Sequence, residues 1–155
     1  MGEDPGNGLT MAELQDLRRL VGVMVPSCTE FRVPGADDAA IFADIVQCLG
    51  RDQDNVRKAL AMLRQMAGGD FAAIDDATAE ATAMAVLRHE GPEITALGRA
   101  VLQCYYGDER VISSLGLEPG PPFPKGRSVE QGDWSLLEAV RSRPPMWRDV
   151  CGKGC

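Results

Sequence analysis

The chain has 155 residues, the length of one ordinary domain, which is enough to bury a hydrophobic core of its own. Hydrophobic residues make up 45% of the sequence and charged residues 25%, and these globular averages argue against a disordered chain. The formal net charge of -7 has the wrong sign for binding phosphates, so nucleic acid and anionic membranes are not expected as partners.

Residues 10–116 carry five segments in which apolar side chains recur at helical spacing, without strand-like alternation. Thr10 and Glu13 have the spacing of a capping box at the start of the first segment. The expected helices run from Thr10 to Pro26, from Ala36 or Asp37 to Gly50, from Asp52 to Ala67, from Asp75 to His89 and from Pro92 to Tyr105. A short turn of helix is expected around Val111. The sequence therefore predicts an all-α bundle with short connections.

The character of the chain changes after Gly116. Residues 116–132 hold four glycines and four prolines in seventeen positions, a density that excludes a long regular element. The rest of the chain nevertheless contains both tryptophans and many other bulky apolar side chains, which must be buried against something. The predicted organisation is a flexible arm over 1–9, a helical bundle over 10–116, and an extended tail over 117–155 that packs on the bundle, on a partner or on both.

The tail carries the side chains that dominate the buried centres of protein interfaces, namely aromatic residues, Met and Arg. One short helix is expected there, capped by Asp133 or Ser135 and ended before Pro144. Two tyrosines lie at the turn that joins the last long helix to the tail, where they either brace the tail or close the core. The candidate partner-binding residues are Tyr105, Tyr106, Phe123, Trp134, Met146, Trp147 and Arg148.

Catalytic patterns are weak. His89 is the only histidine, and no Ser or Cys near it forms a nucleophile motif, so a favourable place at a helix C-terminus explains it better. The acid pairs that begin at Asp37 and Asp75 lie at expected helix starts, where capping explains them. We therefore expect no catalytic residue and no cofactor in this chain. A stand-alone helical enzyme that uses Cys28 or His89 is the alternative.

Five cysteines, an odd number, favour reduced thiols over a disulfide framework. Cys48 and Cys104 fall inside helical apolar patterns, where a free cysteine behaves as a small hydrophobic residue. Cys151 and Cys155 form the only local pair, and two ligands are too few for a zinc site, so no metal is expected. A metal or redox module built on that pair is a second alternative.

No apolar stretch approaches the roughly 20 residues that cross a bilayer. Arg18 and Arg19 precede a short apolar run, as in a twin-arginine leader, but acidic residues come before them and no cleavage-like site follows. The sequence thus predicts no export signal and a cytoplasmic location. A periplasmic location would require a removed leader or export together with a partner.

Two stretches of the chain carry longer motifs. The first comprises Pro26, Phe31-Arg32-Val33-Pro34-Gly35-Ala36-Asp37-Asp38, Ile41 and Asp44-Ile45. The second comprises Leu102-Gln103-Cys104-Tyr105-Tyr106-Gly107-Asp108-Glu109-Arg110-Val111, Ser114-Leu115-Gly116, Pro122-Phe123-Pro124-Lys125-Gly126 and Glu130-Gln131-Gly132-Asp133-Trp134-Ser135-Leu136-Leu137. Over most of residues 25–148 the chain resembles the gluconate 2-dehydrogenase subunit 3 family, small proteins that accompany glucose-methanol-choline type flavin dehydrogenases.

The resemblance implies a non-catalytic accessory subunit that binds and stabilises, or helps to mature, a large flavin-containing subunit. That partner would hold FAD and oxidise a sugar or another alcohol, and its electrons would pass to a cytochrome c or another acceptor. Many members of the family carry a twin-arginine leader that exports both subunits together, and such a leader is not expected in this sequence.

Overall fold

The structure is a computed structural model that describes residues 8–121, 126, 130–144 and 146. Within these residues every regular element is helical, which confirms the all-α prediction. The α-helices found there are α1 (Met11–Met24), α2 (Ala39–Cys48), α3 (Gln53–Ala67), α4 (Asp76–Leu87), α5 (Pro92–Tyr105), α6 (Glu109–Ser114) and α7 (Glu138–Arg141). Short 3₁₀ segments cover Gly50–Asp52, Phe71–Ala73 and Trp134–Leu137. Most of the arm predicted over 1–9 lies outside the described residues.

The chain divides into two compact units at Gly120 and Pro121. The first unit contains α1 to α6, and the second contains α7 with the 3₁₀ segment that precedes it. Among the described residues, no helix combines the length and the apolar character that crossing a bilayer requires.

The helix starts show which local signals the sequence carries. The capping box of α1 is confirmed: the Glu13 N–H donates to the Thr10 hydroxyl at 3.2 Å, and the Thr10 N–H donates to the Glu13 carboxylate at 2.7 Å. The predicted cap of α2 at Ala36 or Asp37 is wrong, because Asp38 is the residue whose carboxylate accepts the free N–H two positions on. Ala36 instead is buried in the preceding connection.

Helix α3 lies at the centre of the first unit and packs against α5, α4 and α1. Its buried positions Val56, Leu60 and Leu63 follow the helical period read from the sequence. Helix α2 packs against α5. Phe71 is the largest fully buried side chain, although it stands in a 3₁₀ segment between α3 and α4. The core therefore depends on a connecting segment as well as on the long helices.

One carboxylate is buried in this core. Asp16 on α1 has no exposed surface, and it is the one buried charged residue among those described. Its carboxylate accepts hydrogen bonds from the guanidinium of Arg64 on α3 and from the Ala72 N–H at 2.9 Å. Asp16 therefore joins α1 to α3 and to the 3₁₀ segment, and both of its oxygens are satisfied where water is excluded.

The arginine pair of α1 serves in packing. Arg19 donates to the backbone carbonyls of Phe71 and of the next residue, each at 2.9 Å, and to the Asp76 carboxylate at 2.9 Å. Its guanidinium also lies over the Phe71 ring, 5.6 Å from the centroid. The Arg18 guanidinium lies over the Phe42 ring at 5.7 Å. Both side chains thus tie α1 to its neighbours within the bundle.

Candidate partner-binding surface

The two tyrosines predicted to bind a partner occupy different environments. Tyr105 is only 5% exposed and belongs to the core, and burial raises the pKa of its phenol above the ordinary value. Tyr106 is 56% exposed. The two rings meet edge to face, with centroids 5.3 Å apart and planes at 83°. Tyr105 therefore closes the core and supports Tyr106, whose ring faces solvent.

Other large apolar side chains of the first unit are also exposed. Leu102 lies one turn before Tyr106, so the two residues share the outer face of α5. Sequence reasoning did not select Leu102, although its position off the buried stripe Leu97, Val101 and Cys104 is a visible signal. The remaining exposed apolar side chains near the two motifs are Phe31, Leu115 and Leu117.

The second unit exposes apolar residues on its one short helical segment, residues 134–141, which we call the tail helix. Asp133 caps it, as predicted, by accepting the Ser135 N–H at 3.0 Å. No residue of the tail helix is buried, and Leu136 is 77% exposed. The exposed apolar side chains of this unit are Trp134, Leu136, Leu137, Val140 and Met146. A concentration of apolar side chains of this kind marks an interaction surface.

Trp134 is held in place although its ring is exposed. Its indole N–H donates to the Gln131 side-chain oxygen at 3.0 Å. Phe123, Trp147 and Arg148, which the sequence also assigned to partner binding, lie outside the described residues. Their roles stay predictions.

The two motifs behind the family resemblance meet at one ion cluster, which we call the Arg110 cluster. Arg110 donates to both oxygens of Asp38, at 2.7 and 3.2 Å, and to the Asp108 carboxylate at 3.0 Å. Asp38 caps α2 and Asp108 caps α6, so one guanidinium links the starts of two helices. Fork-shaped pairing of this kind is among the stronger charge-assisted contacts.

The Arg110 cluster makes the stability of the first unit depend on pH at its acidic end. The hydrogen bond from Arg110 lowers the pKa of Asp38 from 3.8 to about 2, and Arg110 likewise lowers the pKa of Asp108. A carboxyl whose pKa is lower in the folded state stabilises the fold fully above its unfolded pKa, and this contribution is lost as pH falls toward 2.

Replacing Arg110 by Ala is therefore expected to lower the free energy of unfolding by a constant amount above about pH 4. The difference from the wild type should shrink to near zero as the pH approaches 2, because both carboxyls are then protonated. Urea unfolding at a series of pH values measures it. Arg141→Ala, which removes an exposed pair with Glu138 in the second unit, is the control. A difference that persists undiminished at pH 2 would contradict the assignment.

The residues of the enzyme alternative lie in separate places. Cys28 is half-buried, and its backbone pairs with Val33 through two hydrogen bonds of 3.1 and 3.0 Å. His89 is exposed just beyond the end of α4. An open groove of about 470 Å³ is lined by Arg19, Ser27, Asp37, Asp76, Glu80 and neighbouring small residues. Neither Cys28 nor His89 lines that groove.

The acid pairs act as caps. Asp75 accepts the Thr78 N–H at 3.0 Å at the start of α4, as Asp38 does at the start of α2, which confirms the capping interpretation. Within the described part of the chain, no three His, Cys, Asp or Glu side chains are grouped so that they could hold a metal ion. The Cys151 and Cys155 pair lies outside that part.

The fold and this surface define a small all-α protein with an exposed apolar tail helix. No protein-family model matches the chain, and neither a curated protein nor a solved structure matches it. The relation to the gluconate 2-dehydrogenase subunit 3 family therefore stays a prediction that depends on the two sequence motifs.

Proposed function

We propose that this chain is a non-catalytic small subunit that binds and stabilises the large subunit of an FAD-dependent dehydrogenase. The large subunit holds the flavin and oxidises a sugar or another alcohol. Its electrons pass to a cytochrome c or another acceptor. The small subunit contributes contact surface and no reacting group.

The observation that carries this proposal is the exposed apolar surface of the tail helix. Trp134 combines a large ring with a position fixed by Gln131, so little side-chain freedom remains to be lost on binding. Aromatic side chains at the centre of an interface often contribute about 2 kcal/mol or more each. Leu136, on the same segment, is more exposed still.

The Arg110 cluster supports the non-catalytic part of the proposal. Asp38, Asp108 and Arg110 are the charged residues of the two motifs that come closest to a catalytic set, and their polar atoms are occupied in capping helices and in pairing with one another. A structural role therefore accounts for them. The identity of the partner comes from the family resemblance alone.

Replacing Trp134 by Ala is expected to weaken binding of the flavoprotein by about 30-fold, the equivalent of roughly 2 kcal/mol. The tagged full-length chain, expressed in its source cells, should recover a protein that contains FAD and oxidises an alcohol. The variant should recover much less of it, with unchanged far-UV circular dichroism. Purified alone, the chain should be colourless and inactive.

Met84→Ala is the matched control, because Met84 is an exposed apolar residue of α4 in the first unit. It should recover as much flavoprotein as the wild type. Equal recovery with Trp134→Ala would remove the tail helix from the interface. Recovery of no flavin-containing protein by the wild type would contradict the proposed function itself.

A further inference from the structure

Two cysteines that are far apart in the sequence lie side by side where α2 and α5 pack together. Cys48 is the last residue of α2, Cys104 lies in the last turn of α5, and their thiols share a hydrogen bond. Asp44, one turn before Cys48, also acts electrostatically on Cys104. Residues four apart share one face of a helix, so this face of α2 lies beside the Cys104 thiol.

The two thiols differ in access to solvent. Cys48 is exposed, whereas Cys104 is buried. The expectation that Cys48 packs as a small core residue is wrong, because Ile41, Ile45 and Leu49 form the buried stripe of this segment and position 48 lies beside it. A dissolved reagent therefore reaches Cys48 first, and Cys104 reacts in turn with whatever Cys48 has bound.

The ionisation of Cys104 fits the second role in such a sequence. Burial, with the hydrogen bond to Cys48, raises the pKa of Cys104 to about 12, so at neutral pH this residue is a thiol. A thiol reacts with disulfides only as its thiolate, so Cys104 is a poor first nucleophile. Once Cys48 carries a leaving group, the buried thiol is already beside the sulfur that it must attack.

We infer that Cys48 and Cys104 form a thiol pair that closes to an intramolecular disulfide by exchange with a low-molecular-weight disulfide such as oxidised glutathione. The Cys48 thiolate attacks one sulfur of the reagent, forms a mixed disulfide and releases one glutathione thiolate. Cys104 then gives up its proton and attacks the Cys48 sulfur, and the second glutathione leaves. Two protein thiols are oxidised, and one reagent disulfide is reduced to two thiols.

The disulfide ties α2 to α5 and closes the loop from residue 48 to residue 104. A cross-link across a loop of this length restricts the unfolded chain and thereby stabilises the folded one. For a bundle of this size we expect the melting temperature to rise by about 10 °C on oxidation. The inference concerns the bundle alone and does not depend on the proposed partner.

Trypsin, which cleaves after Lys and Arg, places each of the five cysteines in a different peptide. The reduced full-length chain is treated with oxidised glutathione, alkylated, digested and analysed by mass spectrometry. The expected product is a cross-link between the peptides 33–51 and 100–110, together with the rise in melting temperature, and a reductant should reverse both. A cross-link that uses Cys28, Cys151 or Cys155 in place of this pair would overturn the inference.

Single variants separate the two steps. Cys48→Ser changes an exposed position, so it should fold normally and lose both the cross-link and the thermal shift. Cys104→Ala should accumulate a stable glutathione adduct on Cys48. Cys28→Ser, the matched control in the same unit, should behave as the wild type. A wild-type chain that stops at the Cys48 adduct would show that Cys104 does not react, and the inference would fail.

Discussion

Replacing Arg64 by Ala is expected to lower the free energy of unfolding of the first unit by about 2–4 kcal/mol. The variant leaves the Asp16 carboxylate buried with only the Ala72 N–H as a partner. Removing one member of a fully buried ion pair costs about 3–5 kcal/mol, and Arg64 is about a third exposed, which moderates the loss. Urea unfolding followed by far-UV circular dichroism measures it.

Arg57→Ala is the matched control for this prediction. Arg57 lies on α3 two turns before Arg64, and it pairs with Glu13 and Asp54 at 3.3 Å in each case. These contacts are closer to solvent, so the substitution should cost no more than about 1 kcal/mol. Equal losses in the two variants would show that burial of Asp16 does not set the strength of its pairing.

Replacing Phe71 by Ala is expected to destabilise the first unit by about 3–5 kcal/mol. The ring is fully buried, so its removal leaves a cavity that the packed helices fill only in part. It also removes the ring beneath the Arg19 guanidinium. The midpoint of urea unfolding should fall while the dependence on urea concentration stays the same.

Phe31→Ala provides the comparison with the same side chain removed from the surface. Phe31 is 64% exposed, so its loss should change the stability by no more than about 0.5 kcal/mol. Both tryptophans lie beyond Gly120, so circular dichroism reports unfolding of the first unit better than tryptophan fluorescence does. A small loss in Phe71→Ala would mean that the 3₁₀ segment is not part of the stabilising core.

Local signals predicted the helices well. The last long helix has the predicted limits, Pro92–Tyr105, because proline at its first turn and the following Gly107 act within a few residues. The glycines after α3 end it as expected, with Gly68 in the left-handed conformation. The caps of α1 and of the tail helix were also predicted, since they depend on side chains within three residues.

The candidate surface was predicted only in part. The sequence selected Trp134, Met146 and Tyr106 by residue type, and the structure shows all three exposed. Residue type does not distinguish Tyr106 from Tyr105, which lies in the core. Adjacent positions on a helix point about 100° apart, and only the packing of α5 against α2 and α3 decides which of them is covered.

By itself the sequence determined the fold class, the helix boundaries to within a few residues, and the change of character after Gly116. Each of these follows from interactions between residues close in the chain. The tertiary structure alone decided the pairings Asp16 with Arg64, Asp38 with Arg110 and Cys48 with Cys104, which join residues on different elements. Nothing in a local pattern specifies such contacts, because they exist only once the apolar faces of the helices have packed together.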